Sequence, residues 1–260
     1  MSILEALILG IIQGITEFLP VSSSGHLQLF QALFGLEHLD RYILFDLVCH
    51  LGTLLAIMIV FFRSIVDVVN KERFRLVQIL IALIPLFPLV MLMKPIKALF
   101  EQPMYLGYGF LVTAFLLYQG VRRGYVKTGT IPLRKGRWWQ PFVIGIAQAI
   151  AVIPGISRSG STVSVGRMLG WKAEDALRFS FLLAVPTMIG GALYEALFTD
   201  YQILPQMTWV HYAVGFCASF VVGIASLNLF IRMVRHNQMM VFVWYCCIIG
   251  FFCLYKFRPM

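Results

Sequence analysis

Charge is what this sequence has least of. Only 13% of its 260 residues are charged while 60% are hydrophobic, and soluble domains typically carry about 25% charged residues. That shortage excludes a soluble enzyme or binding module, because long apolar stretches recur along the whole length rather than forming one anchor. Acidic residues are the scarcer sign, 12 against 21 Lys and Arg, leaving a formal net charge of +9. In so apolar a chain a basic balance reports cytoplasmic loops and anionic lipid headgroups, so membrane lipids are expected partners and nucleic acid is not. Cysteine is sparse too: Cys49, Cys217, Cys246, Cys247 and Cys253 lie in apolar segments without metal-type spacing, and an odd number argues against a disulfide framework. They read as packing residues. The first segment lacks a basic leader and a small-residue cleavage site and is interrupted by Glu5 and Glu17, so it reads as mature fold rather than a removable signal.

What is present in abundance is apolar sequence at membrane-crossing length. Spans are expected over roughly 42–62, 76–98, 104–121, 176–198, 210–231 and 239–257, each near the ~20 residues a helix needs to cross a bilayer. Two further apolar regions, 2–35 and 141–170, are broken by proline, glycine and serine. Each reads as two short helices joined by a polar loop. Irregular backbone at membrane depth survives only where protein or a water-filled cavity covers it, so both are expected to be re-entrant hairpins.

The broken regions look like copies of each other. "GIIQGITEFLPVSSSGHLQLFQALFG" from Gly10 aligns with "GIAQAIAVIPGISRSGSTVSVGRMLG" from Gly145, matching Gln13 with Gln148, Pro20 with Pro154 and Gly25 with Gly160. Spans opening on Phe45 and Phe179 follow at similar distance. The expected architecture is therefore an all-α polytopic membrane protein in one domain over 1–260, with repeat one about 1–125 and repeat two about 138–260. A re-entrant hairpin plus three crossings per half makes six transmembrane helices and two hairpins, and the odd number of crossings inverts the second half. Loop charge sets the orientation. Arg63, Lys71, Arg73 and Arg75, and then Arg122, Arg123, Lys127, Arg134, Lys135 and Arg137, should face the cytoplasm, whereas the 199–209 loop has no lysine or arginine.

The two loops carry the chemistry. Gln13 and Glu17 share one helix face, and Pro20 makes a natural helix end. In "VSSSG" a serine can cap the next helix, whose exposed N–H groups attract anions, and His26 follows one turn later. "PGISRSGST" repeats that geometry and adds Arg158, whose planar fork suits phosphate oxygens, with hydroxyls from Ser157, Ser159 and Thr162 around it. If the loop tips meet, they make a phosphate pocket with acid-base equipment. Serine and glycine in membrane helices more often serve close packing. Buried Arg, Glu and His at matching breaks are harder to dismiss, since intramembrane ionisable groups are functional by default. Asp46 and His50 are either support for the site or a structural pair, Glu195 is interfacial, and Lys172, Glu174, Asp175 and Arg178 read as solvated or lipid-facing.

At these residues the sequence resembles the undecaprenyl-diphosphate phosphatases, the integral membrane enzymes associated with bacitracin resistance. The resemblance covers essentially the full chain and rests on "QGITE", "FLPVSSSGH", "FDLVCHLGT", "PGISRSGST" and "FSFLLAVP". It implies hydrolysis of undecaprenyl diphosphate, a polyprenyl diphosphate lipid, to undecaprenyl phosphate and phosphate. The reaction would take place in the bacterial plasma membrane with the active site open to the outer face, recycling the lipid carrier of cell-wall synthesis. It also implies Ser23 as nucleophile, His26 as general acid-base group, Glu17 as acid-base or metal-associated carboxylate, and Arg158 as diphosphate clamp. Gln13, Ser22, Ser24, Ser157, Ser159 and Thr162 would bind substrate. Water activated by His26, with Ser23 as a ligand, is the alternative. A divalent cation, Mg²⁺ or Ca²⁺, is a further implication, with weaker protein support because Gln13 stands where many members have glutamate. The competing class is an inverted-repeat transporter or flippase of a polyprenyl phosphate lipid. The sequence leaves oligomeric state open, a homodimer among the states it allows.

Overall fold

The computed structural model describes residues 1–36, 42–89, 104–126, 137–198 and 207–258, and among them it is helical with no strand. The helices are α1 (Ile3–Thr16), α2 (Ser23–Leu33), α3 (Ile43–Val60), α4 (Phe62–Asn70), α5 (Arg73–Leu83), α6 (Met104–Val126), α7 (Trp139–Ile150), α8 (Arg158–Met168), α9 (Ala173–Phe198), α10 (Trp209–Arg235) and α11 (Met240–Lys256). By length and apolar composition α3, α9 and α10 are each able to cross a membrane, and α1 and α11 are shorter apolar helices.

The broken regions fold as the prolines and serines dictate. Ser2 and Glu5 close a capping box at the start of α1. The helix stops at Glu17 because Pro20 lacks an N–H and disfavours helical backbone at Leu19. Restart occurs at serine: Ser22 Oγ accepts from the Gly25 N–H ahead of α2, and Ser157 Oγ accepts from the Gly160 N–H ahead of α8. At 11 residues and about 1.5 Å per residue, α2 and α8 each fall well short of a ~30 Å hydrocarbon core.

Packing joins the two ends of the chain. α1 lies along α10, α7 along α5, α6 against both α8 and α11, and α3 against α9 and α10. The α1–α10 contact is close because small residues face each other: a Cβ on Gly10 would stand 2.8 Å from the Gly215 carbonyl, and one on Gly14 2.8 Å from that of Ser219. An aromatic cluster of Phe18, Phe61, Phe181 and Phe230 fills the space between α3, α9 and α10. All the cysteines are free; Cys49, Cys246 and Cys253 are buried, consistent with packing, and Cys217 is exposed.

Several expectations change here. The stretch after the first span is not simply a loop but holds α4, whose Phe62, Val66 and Val69 remain exposed. Asp175 and Arg178 are not free polar groups. Glu72 accepts from Arg75 and Arg178, and Arg75 reaches Asp175 at 3.3 Å, tying the start of α5 to that of α9. Residues 90–98 of the expected second span, the basic residues Arg41, Lys94, Lys97, Lys127, Arg134 and Lys135, and the 199–206 part of the uncharged loop lie outside the described residues.

Candidate active site

The two proline-broken turns touch. Ser159 Oγ donates to the Leu19 carbonyl at 3.3 Å, and Arg158, first residue of α8, donates from Nη2 to Glu17 Oε1. Glu17 is the hub. Its second oxygen, Oε2, accepts from Ser23 Oγ at 2.6 Å and from Gln13 Nε2 at 3.0 Å, and His50 Nε2 lies 3.7 Å away. A carboxylate 7% exposed is tolerable only because guanidinium, hydroxyl and amide converge on it. The Ser22 backbone holds φ 69°, a left-handed conformation costly for a residue with a Cβ. Such strain persists where surrounding structure over-determines it, often at functional sites.

A cavity of about 240 Å³ opens at this junction, with Glu17, Ser22, Ser23, Ser24, His50, Gln148, Ser157 and Arg158 contributing polar groups. Leu86, Val152, Ile156 and Met188 supply apolar wall. Drug-sized ligands use pockets of roughly 300–1,000 Å³, so this one suits a headgroup better than a long tail. The capped starts of α2 and α8 both lie here and bring N–H donors and the positive ends of helix dipoles.

Not every expected residue faces the cavity. His26, 2% exposed, does not reach a serine hydroxyl: its Nδ1–H donates to the Ser22 carbonyl and its Nε2 meets the Tyr245 hydroxyl, each at 2.8 Å. A carbonyl only accepts, so Nδ1 carries the hydrogen and Nε2 takes the tyrosine proton, which commits both nitrogens. Phe110 and Tyr245 pack on the ring. Ser159 and Thr162 also turn to protein partners, Thr162 Oγ1 donating to the Arg158 carbonyl at 2.9 Å beside Ser180 Oγ. Asp46 and His50 do not pair through their side chains. Gln31 Nε2 holds the Asp46 carboxylate, while His50 Nδ1–H donates to the Asp46 backbone carbonyl at 2.7 Å and leaves Nε2 toward Glu17.

The implied divalent cation finds little to hold it. Both Glu17 oxygens are engaged, and among the described residues no group of three His, Cys, Asp or Glu side chains could hold a metal ion. The donor set does not fit a protein-built metal cage.

Thr113 carries no motif and is missed by sequence reasoning, yet it fastens the second loop. Its hydroxyl accepts from the Ser157 N–H and donates to the Gly155 carbonyl, both at 2.9 Å. Gly155 sits at φ 87°, and a Cβ there would stand 2.6 Å from the Leu106 carbonyl. Thr113→Val keeps the shape but strands both backbone groups, so stability should fall by about 1–3 kcal/mol, read as a lower melting temperature in detergent. An unchanged melt would show that the loop does not depend on this hydroxyl.

The family model described as bacitracin resistance protein BacA matches residues 6–252. An undecaprenyl-diphosphatase of Protochlamydia amoebophila is 46% identical over 253 residues, covering 96% of this chain and 96% of that protein. Undecaprenyl-diphosphatases of Halothermothrix orenii and Methanosphaera stadtmanae are 35% and 37% identical, each over 96% of this chain and 96% of the relative. With the matched span taking in both loops and nearly all of the helices around them, this chain belongs to the bacitracin resistance protein BacA family.

Proposed function

We propose that this chain hydrolyses undecaprenyl diphosphate to undecaprenyl phosphate and inorganic phosphate, and so recycles a cell-wall lipid carrier and confers bacitracin resistance. One observation carries the mechanism: two serine-capped helix starts and Arg158 converge with Glu17 and Ser23 on a single cavity. Phosphoryl transfer needs mainly in-line positioning and neutralised oxygen charge. Arg158, Ser22, Ser24, Ser157 and the N–H groups of the helix starts supply the neutralisation. The apolar wall receives the first isoprene units.

In this reading a phosphate oxygen takes over Arg158. Ser23 Oγ then attacks the terminal phosphorus while its proton passes to Glu17 Oε2, already 2.6 Å away. The bond from that phosphorus to the bridging oxygen breaks, its electron pair leaving with undecaprenyl phosphate. Water next attacks the phosphoserine and gives a proton to His50 Nε2. The P–Oγ bond breaks, Ser23 recovers its proton from Glu17, and phosphate departs with the proton held by His50. Gln13 orients Glu17 through its 3.0 Å hydrogen bond. His26 acts on the serines through the Ser22 carbonyl, and Ser159 and Thr162 fix the second loop. No step passes through a divalent cation, for which the cavity offers, among the described residues, a single protein carboxylate.

The placement belongs to the same proposal: six crossings and two re-entrant hairpins in inverted repeats, in the bacterial plasma membrane, with the cavity open to the outer face. The inverted repeats draw support from the exchange of partners, with α1 packing on α10 as α7 does on α5.

Phosphate release from undecaprenyl diphosphate by detergent-purified protein is the test. Turnover without vesicles is expected, whereas activity confined to sealed membranes would favour a flippase. His50→Ala should lower turnover by more than tenfold, and added imidazole should restore a measurable part of it. His26→Ala should lose a similar factor by displacing the serines, with no recovery in imidazole. Equal rescue of both, or of neither, would remove the role given to His50.

A further inference from the structure

Among the described residues, Gln148 is the one cavity-lining side chain whose hydrogen-bonding groups are wholly unspent. It is 2% exposed, it lines the cavity beside Ser157 and Arg158, and neither Nε2 nor Oε1 has a hydrogen-bond partner among the described residues. Burying both ends of an amide without partners costs several kcal/mol, so the position makes sense only if a ligand completes it. Its counterpart in the first loop, Gln13, spends its Nε2 on Glu17; Gln148 has no carboxylate to serve.

The two ends of the amide differ in what they can accept. Nε2 donates, which suits an unprotonated phosphate oxygen. Oε1 only accepts, and a phosphate oxygen cannot satisfy it unless protonated. The reactant that must bring an O–H into this cavity is water. Building on the phosphatase reading above, we propose that Gln148 positions the hydrolytic water, Oε1 accepting one of its hydrogens while Nε2 holds a phosphate oxygen of the group under attack. The second hydrogen of that water goes to His50 Nε2, which faces the same cavity. The water oxygen forms the new bond to phosphorus, the opposite P–O bond breaks with its electron pair leaving on Ser23 Oγ, and the water proton is held by His50 until phosphate leaves. Gln148 gains and loses no proton. It is a positioning residue, and it acts by fixing the line of attack.

That role has a signature which mere structural support lacks. Water brings two O–H groups, one for Oε1 and one for His50, whereas methanol brings one and cannot satisfy both. The unsubstituted protein should therefore discriminate against methanol, and the discrimination should depend on Oε1.

The experiment uses full-length protein in detergent, undecaprenyl diphosphate labelled in its terminal phosphate, and buffer containing methanol, and it reads the ratio of methyl phosphate to inorganic phosphate. In Gln148→Met, of similar length but with no amide, the ratio should rise at least fivefold, with kcat falling more than tenfold and the melting curve kept. Gln148→Glu retains an acceptor oxygen and should keep the original ratio while KM rises. An unchanged ratio in Gln148→Met, or a methanol shift in Gln148→Glu, overturns the role of Gln148 while leaving the phosphatase reading intact. If Gln148→Met does not fold, the ratio in Gln148→Glu decides alone. Absence of both products with the unsubstituted protein would mean that the phosphatase reading itself has failed, and this proposal with it.

Discussion

Arg158→Ala should lower kcat/KM for undecaprenyl diphosphate by at least a hundredfold. Two effects add. Removing a preorganised donor aimed at charge that develops in the transition state typically costs 10²–10³ in rate. The same change leaves Glu17 without its counter-ion in a site where the carboxylate is 7% exposed, and breaking a buried pair from one side costs about 3–5 kcal/mol of stability. The two separate experimentally through Arg158→Lys. Lysine keeps the charge and much of the stability, but an ammonium is a point donor and lacks the fork that spans two phosphate oxygens. The lysine variant should melt close to the unsubstituted protein and still lose at least tenfold in turnover. Near-normal turnover in either variant would take Arg158 out of the mechanism.

Ser23→Ala should be the most damaging substitution of all, reducing turnover by about a thousandfold or more if the hydroxyl is the nucleophile. The supporting geometry is local: the hydroxyl lies in the first turn of α2, lines the cavity and donates to Glu17 Oε2 at 2.6 Å. Glu17→Gln should produce a comparable loss through a different route, because the amide cannot take the serine proton and leaves Arg158 unpaired. A covalent phosphoserine on Ser23, trapped by acid quench and found by mass spectrometry, is expected in the active protein and absent from Ser23→Ala. A Ser23→Ala variant within tenfold of normal would mean that water attacks the diphosphate directly with Ser23 as a ligand.

Helix breaks were readable because they are local. Pro20, Pro154 and the serines after them act on backbone within a few residues, so the ends of α1 and α7 and the caps of α2 and α8 could be located from the chain alone. The meeting of Glu17 with Arg158 was legible for another reason: the two loops repeat one pattern, and matching loops from inverted halves are expected to face each other. The direction of His26 was not legible. It shares α2 with Ser23, but a helix turns about 100° per residue, and which way the ring finally points depends on Phe110 and Tyr245, the latter 219 positions away. His50 and Gln148 were underrated for the same reason, since each becomes a wall of the cavity only through how α3 and α7 are rotated against their neighbours.

By itself, the sequence determined the solvent, the breaks and the reagents. An apolar chain this poor in charge must pair its backbone internally in lipid, as helices or closed barrels do; apolar runs of about 20 residues select helices, and proline, glycine and serine mark where each helix must stop and restart. The tertiary structure decided which reagents share a volume. His26 and Tyr245 stand 219 positions apart, Thr113 and Ser157 44 apart, and no local preference of the chain can set such distances. They follow from close packing at residues such as Gly10, Gly14 and Gly215, where missing side chains let helices approach and thereby fix the rotation that aims every polar group at the cavity or away from it.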